Sequence, residues 1–329
     1  MTLYRSRSFA NAVHPGNTLW NARLAGVLAL VLCSVIISGC ASAPRLDDAT
    51  QDALPRQAVI EEVPFHGQRD YQCGPASLAM VLNHSGVDID VDNLIPQVFL
   101  PGREGSVQPE MLATVRRHGR IAFPLDNRLE ALLTEIDAGH PVVVMQNLSL
   151  PAWPLWHYAV AIGFDLDSNE LILHSGMEPE RIESFRRFDA TWARSERWAF
   201  IALPPGEMPA QVSQSTAMQA ITDFESVQGP ENTLSAWEAL VERFPEAGMG
   251  HFALGNARYA TQDPKGAIAA FRRAVQEDDT LAVAWLNLGL ALRAEQHLNE
   301  AAEALKRAAE LPGPWQPRAR QALDGLSAG

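Results

Sequence analysis

The chain has 329 residues, enough for two folded domains and a tail, and 47% of them are hydrophobic, which suits packed cores. Its formal net charge is −13, and such an acidic chain repels phosphate backbones, which argues against nucleic acid as a partner. The sequence has no Cys-x-x-Cys, His-Glu-x-x-His or Gly-x-Ser-x-Gly motif and no phosphate-binding glycine loop. We therefore expect no metal and no cofactor.

The first forty residues predict an export signal. Three arginines precede an uncharged, mainly apolar run (residues 24–37), and this run meets Ser38-Gly39-Cys40. The run is shorter than the roughly 20 residues that a transmembrane helix needs. The segment resembles a bacterial lipobox, which implies removal of residues 1–39 as a signal peptide and acylation of the Cys40 thiol. Ala41 then favours the outer membrane, facing the periplasm, as the place of this lipoprotein.

Cysteine usage singles out one thiol. Cys33 would leave with the signal peptide and Cys40 would carry lipid, so Cys73 would be the only free cysteine of the exported chain. A lone thiol in an oxidising compartment is exposed to oxidation, so its presence asks for a reason. Residues 40–60 are polar and interrupted by Pro44 and Pro55, which predicts a lipidated tether between the membrane and the first domain.

Residues 61–207 predict an α+β domain with an antiparallel sheet, because helices come first and strands follow. The buried helix over Pro75–Asn83 is apolar all round and ends near Gly86. Two more helices are expected over Gln108–His118, with Ser106 as a cap, and over Arg128–Ala138, with Asn127 as a cap. Strands are expected at four places: Pro141–Asn147, His157–Phe164, Glu170–His174 and Trp198–Leu203.

Residues 208–329 show a helical repeat with a period of 34 residues. Leu254-Gly255 recurs as Leu288-Gly289, and Phe271 recurs as Leu305. This pattern resembles the tetratricopeptide repeat, with clear units over 247–280 and 281–314, a degenerate unit from about Gln214 and a closing helix after residue 317. The resemblance implies an all-α domain that binds a protein partner, as an extended peptide or a helix, in its concave groove.

Cys73 directly precedes the buried helix, in the stretch Gln68-Arg69-Asp70-Tyr71-Gln72-Cys73-Gly74-Pro75-Ala76. Unpaired backbone N–H groups and the positive end of the helix dipole would point at its sulfur and favour the thiolate. Gly74 would let a substrate backbone approach closely, and Pro75 suits the first turn of a helix. The sequence therefore predicts Cys73 as a nucleophile, ionised by the helix and by a neighbouring imidazolium.

These residues, with the later His157-Tyr158-Ala159-Val160, resemble the motifs of the bacteriocin-processing peptidase family, a branch of the papain-like cysteine peptidases. The resemblance implies cleavage of a peptide or related amide bond in a peptide or protein substrate. Cys73 would be the nucleophile, His157 the general base and acid, and Gln68 a donor to the oxyanion, with Gln72 as the alternative donor. Trp153 and Trp156 would either line the substrate cleft or pack beneath it.

The third member of the site departs from the family pattern. Where the family usually offers an acid in an Asn-Asp-Pro-like segment, this chain has His174-Ser175-Gly176. A turn centred on residues 167–168 would place His174 opposite Ala161, on the face of His157, and a register change of one residue would present Ser175 instead. Because neither residue carries a carboxylate, a catalytically weak or inactive peptide-binding scaffold remains the alternative function, and transfer remains an alternative to hydrolysis.

Overall fold

The structure is a computed structural model that describes residues 46–67, 72–100, 102 and 105–327. The predicted signal peptide (residues 1–39), Cys40 and Gln68 lie outside the described residues. Within the described residues, no helix has both the length and the apolar character needed to cross a membrane.

The first part of the chain is an α+β fold, as the sequence predicts. Its helices are α1 (Asp48–Ala53), α2 (Cys73–His84), α3 (Val91–Val98), α4 (Gln108–Arg117), α5 (Leu129–Asp137) and α6 (Phe185–Trp192). Its strands are β1 (Gln57–Val59), β2 (Phe99–Leu100), β3 (Gly105–Ser106), β4 (Ile121–Pro124), β5 (Val142–Asn147), β6 (Trp156–Asp165), β7 (Glu170–Ser175), β8 (Glu178–Ser184) and β9 (Ala199–Leu203).

The three helices and four strands predicted in this part are confirmed within a few residues, but the two predicted caps are wrong. Helix α4 is preceded by Val107 and helix α5 by Arg128, and neither receives a side-chain cap. Four further elements, α3, α6, β4 and β8, have no counterpart among the elements predicted from the sequence. Strand β4 is four residues long and β8 is largely exposed, so neither offers a long apolar pattern.

The described residues form a seven-stranded antiparallel sheet with the order β4-β9-β5-β6-β7-β8, and β1 pairs with the end of β6. Successive side chains of a strand point to opposite faces, so each face has its own core. Helices α2, α3 and α4 pack on one face, and α5 and α6 cover the other. Helix α2 is buried along residues 74–82, so its position on the sheet is fixed by packing.

The predicted tether does not reach residue 60. Residues 48–53 form α1, and β1 pairs with β6, with Val59 opposite Gly163. Leu46, Leu54 and Ile60 pack on the core beneath the sheet. A few apolar residues at irregular spacing have no helical or strand period, so the sequence pattern concealed their burial.

The second part of the chain is helical throughout its regular elements. Its helices are α7 (Gln214–Gln228), α8 (Leu234–Arg243), α9 (Gly248–Ala260), α10 (Pro264–Glu277), α11 (Ala282–Ala294), α12 (Leu298–Glu310) and α13 (Gln316–Ser327). A methyl group on Gly255 would lie 2.4 Å from the ring of Phe271, and one on Gly289 would lie 2.6 Å from Leu305. The repeated glycine thus lets the two helices of each pair approach, as the 34-residue period predicts.

His251 replaces tryptophan in the first clear repeat and still makes the equivalent contact. The Trp285 Nε1–H donates to the carbonyl of Asp279 at 2.9 Å, and His251 Nε2 lies 2.8 Å from the carbonyl of Pro245. Both carbonyls are six residues upstream of the ring, so one interaction recurs at the repeat period despite the substitution.

The two parts share one hydrophobic core. Ile121 and Phe123 of β4 belong to the same buried cluster as Ile221 and Phe224 of α7. Polar contacts add to this packing: Arg116 donates to Asp223 at 2.6 Å, and the backbone N–H of Gln211 donates to the buried carboxylate of Glu135 at 3.0 Å. The repeats are therefore packed onto the α+β part, although the sequence analysis divided the chain at residues 207 and 208.

Candidate active site

Cys73 is the first residue of α2, which begins two residues earlier than the sequence predicts. Gln72 precedes the helix but makes no side-chain cap, so backbone N–H groups of the first turn remain directed toward the sulfur. The backbone N–H of Tyr158 in β6 also donates to this sulfur. Since Tyr158 directly follows His157 in the chain, the start of α2 and the start of β6 meet at one place.

Gly74 has a role different from the one expected. A methyl group on Gly74 would lie 2.3 Å from Ser106 Oγ and 3.2 Å from Met111 Sδ. Strand β3 therefore occupies the space that the sequence analysis assigned to a substrate backbone. Gly74 is required because Ser106 packs against the first turn of α2, and the hydroxyl of Ser106 is buried there.

The thiol of Cys73 is half-buried. Burial raises the pKa of Cys73 above its ordinary value, and the N–H groups of Tyr158 and Gly74 offset only part of this effect. This direction opposes the thiolate that the sequence predicts, so the ionisation of Cys73 stays a prediction to be measured.

His157 is the second residue of β6, where it faces Gln146 of β5 across the sheet. Its Nε2 lies 2.9 Å from Ser175 Oγ in β7. Burial lowers the pKa of His157 to about 4, and the nearby cation of Arg181 lowers it further in the same direction. A pKa of about 4 leaves the imidazole neutral at pH 7, and its Nε2 is engaged by Ser175.

Among the described residues, no hydrogen bond joins the Cys73 thiol to the His157 ring. Catalytic hydrogen bonds are often long in the free form of an enzyme and tighten when a substrate binds. The raised pKa of Cys73 and the lowered pKa of His157 both oppose an ion pair in the free protein.

Ser175, and not His174, lies beside His157. A bulge between Ala161 and Gly163 changes the β6–β7 register by one residue, so His174 pairs with Val160. The ring of His174 turns to the other face, where Nε2 lies 3.1 Å from the carbonyl of Val63 and Nδ1 accepts the N–H of Glu180. Of the two registers that the sequence left open, the structure has the one that presents Ser175. A bulge within an apolar strand has no sequence pattern, so the sequence alone could not choose between them.

Two further residues shape the site without having been foreseen. The hydroxyl of Tyr158 donates to the carbonyl of Ser106 at 3.3 Å, which joins β6 to β3 above α2. Arg181 of β8 pairs with Leu173 of β7, and Leu173 is two residues before Ser175. The positive charge of Arg181 therefore lies near His157. Both depend on pairings between distant segments, which no local pattern reveals.

Trp153 and Trp156 are both exposed, at 75% and 48%. They belong to the connection that leads from β5 into His157, so they lie beside the site and do not pack beneath it.

The repeats contain a separate cavity of about 270 Å³. Its lining includes Asn256 and Asn287, whose side chains are hydrogen-bonded to each other at 2.9 Å, and the apolar residues Phe271 and Leu290. No cluster of possible metal ligands occurs among the residues that the structure describes.

Comparisons with known proteins agree with this architecture. The sequence profile of the Peptidase_C39 like family matches residues 60–200, and the tetratricopeptide-repeat profile matches residues 230–282. No match is found among the curated proteins.

Solved structures resemble each part of the chain separately. A putative C39-like peptidase from Bacillus anthracis is 17% identical, covering 45% of this chain and 98% of its own, with a TM-score of 0.39. MamA is 20% identical, covering 36% of this chain and 68% of its own, with a TM-score of 0.33. The TPR2B domain of yeast Sti1 is 19% identical, covering 35% of this chain and 96% of its own, also with a TM-score of 0.33. The chain thus joins a part that resembles the Peptidase_C39 like family, over residues 60–200, to a part that resembles the tetratricopeptide repeat, over residues 230–282.

Proposed function

We propose that this chain is an envelope-anchored cysteine peptidase that hydrolyses peptide or related amide bonds. The observation that carries the proposal is the meeting of three groups: the Cys73 sulfur receives the N–H of Tyr158, and the neighbouring His157 is oriented by Ser175. A nucleophile, a base and a group that orients the base are the elements that nucleophilic acyl transfer requires.

The reaction starts from neutral groups. Substrate binding excludes water, and His157 Nδ1 takes the proton of the Cys73 thiol as the sulfur attacks the carbonyl carbon. The oxyanion is stabilised by the Cys73 backbone N–H, with the Gln68 side chain as the second donor carried over from the family resemblance. His157 then gives its proton to the leaving nitrogen as the C–N bond breaks. Water attacks the thioester with His157 as base, and the thiol is restored.

Ser175 takes only one of the two roles of the carboxylate that the family pattern offers. Ser175 fixes the orientation of the ring through Nε2, which must donate its hydrogen when Nδ1 acts as the base. Serine carries no charge, however, and Arg181 disfavours the imidazolium. We therefore expect slower turnover than a site with a carboxylate would give.

The proposal is tested with the purified exported chain and a peptide library. Native protein should cleave at least one class of peptide, and both Cys73→Ala and prior alkylation with iodoacetamide should abolish cleavage. His118→Gln serves as the matched control for His157→Gln, because His118 lies away from the site and bonds to Gln97. Undiminished cleavage by Cys73→Ala would remove this residue from the mechanism, and product analysis separates hydrolysis from transfer.

An inactive peptide-binding scaffold is the second candidate. The cation beside His157 and the protonated thiol favour it, because both oppose ionisation of the pair. If this candidate is correct, the native protein binds peptides that it leaves intact, and Cys73→Ala binds them equally well.

The repeats are proposed to recruit a protein partner or the substrate itself through the groove that contains Asn256 and Asn287. The membrane anchor is proposed to be lipid on Cys40, at the outer membrane facing the periplasm. Radiolabelled fatty acid should enter the native protein and not a Cys40→Ala variant, and the label should fractionate with outer membranes.

A further inference from the structure

An uncharged apolar segment protrudes beside the site. We call residues 148–156, Leu-Ser-Leu-Pro-Ala-Trp-Pro-Leu-Trp, the apolar loop. Its three leucines and two tryptophans are all exposed, with Leu150 at 60% and Trp153 at 75%. Contiguous apolar exposure of this kind marks an interaction surface, whereas single exposed apolar residues do not.

The apolar loop is held in a fixed conformation. The side chain of Asn147 accepts the N–H groups of Ser149 and Leu155, both at 3.0 Å. Arg194 donates to the carbonyl of Ser149 at 2.7 Å, and the Trp153 N–H donates to the carbonyl of Leu150 at 3.0 Å. The backbone is therefore satisfied internally while the apolar side chains face outward, so little ordering remains when the loop binds its target.

We propose that the apolar loop inserts into the interfacial region of a bilayer of neutral lipids. The loop exposes leucine and tryptophan side chains, and tryptophan favours the level of lipid head groups. The loop carries no charged side chain that would need a partner, and the chain's net charge of −13 disfavours anionic surfaces. A bilayer of neutral lipids is therefore the binding target that suits an apolar loop on a negatively charged protein.

Insertion of the apolar loop needs neither the proposed lipid on Cys40 nor catalysis, so the inference can be tested apart from the proposed function.

The test uses phosphatidylcholine vesicles and a chain that starts at Pro44, which cannot be acylated at residue 40. Residues 44–329 form one compact unit with its own cores, so this chain retains the fold. We expect it to sediment with the vesicles. Binding to phosphatidylcholine alone should not depend on salt concentration, because it involves no charged groups. Adding phosphatidylglycerol to the vesicles should weaken binding at low salt, because the anionic lipid repels the acidic chain.

The decisive comparison is between two double variants. Leu150→Ser with Trp153→Ser should weaken vesicle binding by tenfold or more. Leu298→Ser with Trp315→Ser removes the same residue types from exposed positions on the repeats and should leave binding unchanged. In vesicles of brominated lipid, native tryptophan fluorescence should be quenched, and Trp153→Phe should lose most of that quenching.

Three results would overturn the proposal. The native chain could fail to sediment with phosphatidylcholine, or the loop variant could bind as tightly as the control variant. A concentration-dependent dimer that only the loop variant loses would assign the loop to a second copy of the chain. Peptide cleavage is measured separately, so a membrane-bound but inactive protein would contradict the proposed function and leave this inference standing.

Discussion

The Nε2 atom of His157 lies 2.9 Å from the hydroxyl oxygen of Ser175, where the family pattern would offer a carboxylate. This pair defines a site whose imidazole is oriented but receives no negative charge to stabilise its protonated form. This arrangement should affect three measurable properties: the turnover rate, the ionisation of Cys73 and His157, and the free energy of unfolding.

Replacing Ser175 tests the orienting contact. Ser175→Ala should lower kcat by about tenfold with little change in KM, because one hydrogen bond of about 1 to 1.5 kcal/mol is lost from the ring. Ser175→Asp should raise the pKa of His157 and shift the acidic limb of the pH profile upward from about 4. Ser168→Ala in the β6–β7 turn is the control, and equal losses in both alanine variants would show a merely structural effect.

The ionisation of Cys73 can be observed directly in the free protein. Because burial raises its pKa, native protein at pH 6 should show no excess ultraviolet absorbance from a thiolate over Cys73→Ala. Its alkylation rate should rise steadily toward alkaline pH. A thiolate signal at pH 6 would show that the sulfur and the imidazole form an ion pair before substrate binds. The pH dependence of turnover cannot make this distinction, since both forms contain the same number of protons.

His157 should also make folding sensitive to acid. Its folded pKa of about 4 lies below the unfolded value of 6.5, so the unfolded chain binds the proton more readily. The associated stability is present above pH 6.5 and is lost as the pH falls toward 4. Between pH 7 and pH 5 the loss is about 2 kcal/mol. Urea unfolding at the two pH values measures the loss, which should be smaller by about that amount in His157→Gln. His118→Gln should reduce the loss by less, because burial lowers the pKa of His118 too but not as far.

Gly74→Ala tests the packing of β3 on α2. The new methyl group would lie 2.3 Å from Ser106 Oγ, so the variant should be destabilised by about 1 to 3 kcal/mol. Adding Ser106→Gly removes the clash and should restore most of the loss. If Gly74→Ala alone were neutral in urea unfolding, the contact would not constrain the first turn of α2.

The shared core predicts that the first part does not fold well alone. A chain that ends at residue 207 would expose Ile121 and Phe123, which pack with residues of α7. We expect this fragment to be insoluble or to unfold without cooperativity, whereas one that ends after α8 retains the packing. A soluble fragment with a sharp unfolding transition would mean that the repeats are an independent attachment.

The features that could be predicted from the sequence are those that follow from the spacing of nearby residues. The all-round apolar helix after Cys73, the long β-branched strands and the 34-residue period each have a recognisable spacing. His251 shows the limit of such patterns, because it fills the tryptophan position with a different ring that makes the same contact.

The features that were missed depend on contacts between distant residues. The bulge at Ala161 and Gly163 decides between His174 and Ser175, and the resulting register appears only when β6 and β7 pair. The pKa of the Cys73 thiol depends on how deeply the thiol is buried. The position of Arg181 beside His157 depends on the pairing of β8 with β7. Burial and register are properties of the assembled sheet and leave no periodic mark on a single strand.

The central claim is that Cys73 forms a covalent bond to the substrate with His157 as its base. Intact-mass spectrometry after acid quenching of protein mixed with a cleaved peptide tests it most directly. The account predicts an added acyl mass on the Cys73 peptide of the native protein, absent in Cys73→Ala and strongly reduced in His157→Gln. Cleavage without such an adduct, retained in Cys73→Ala, would contradict it.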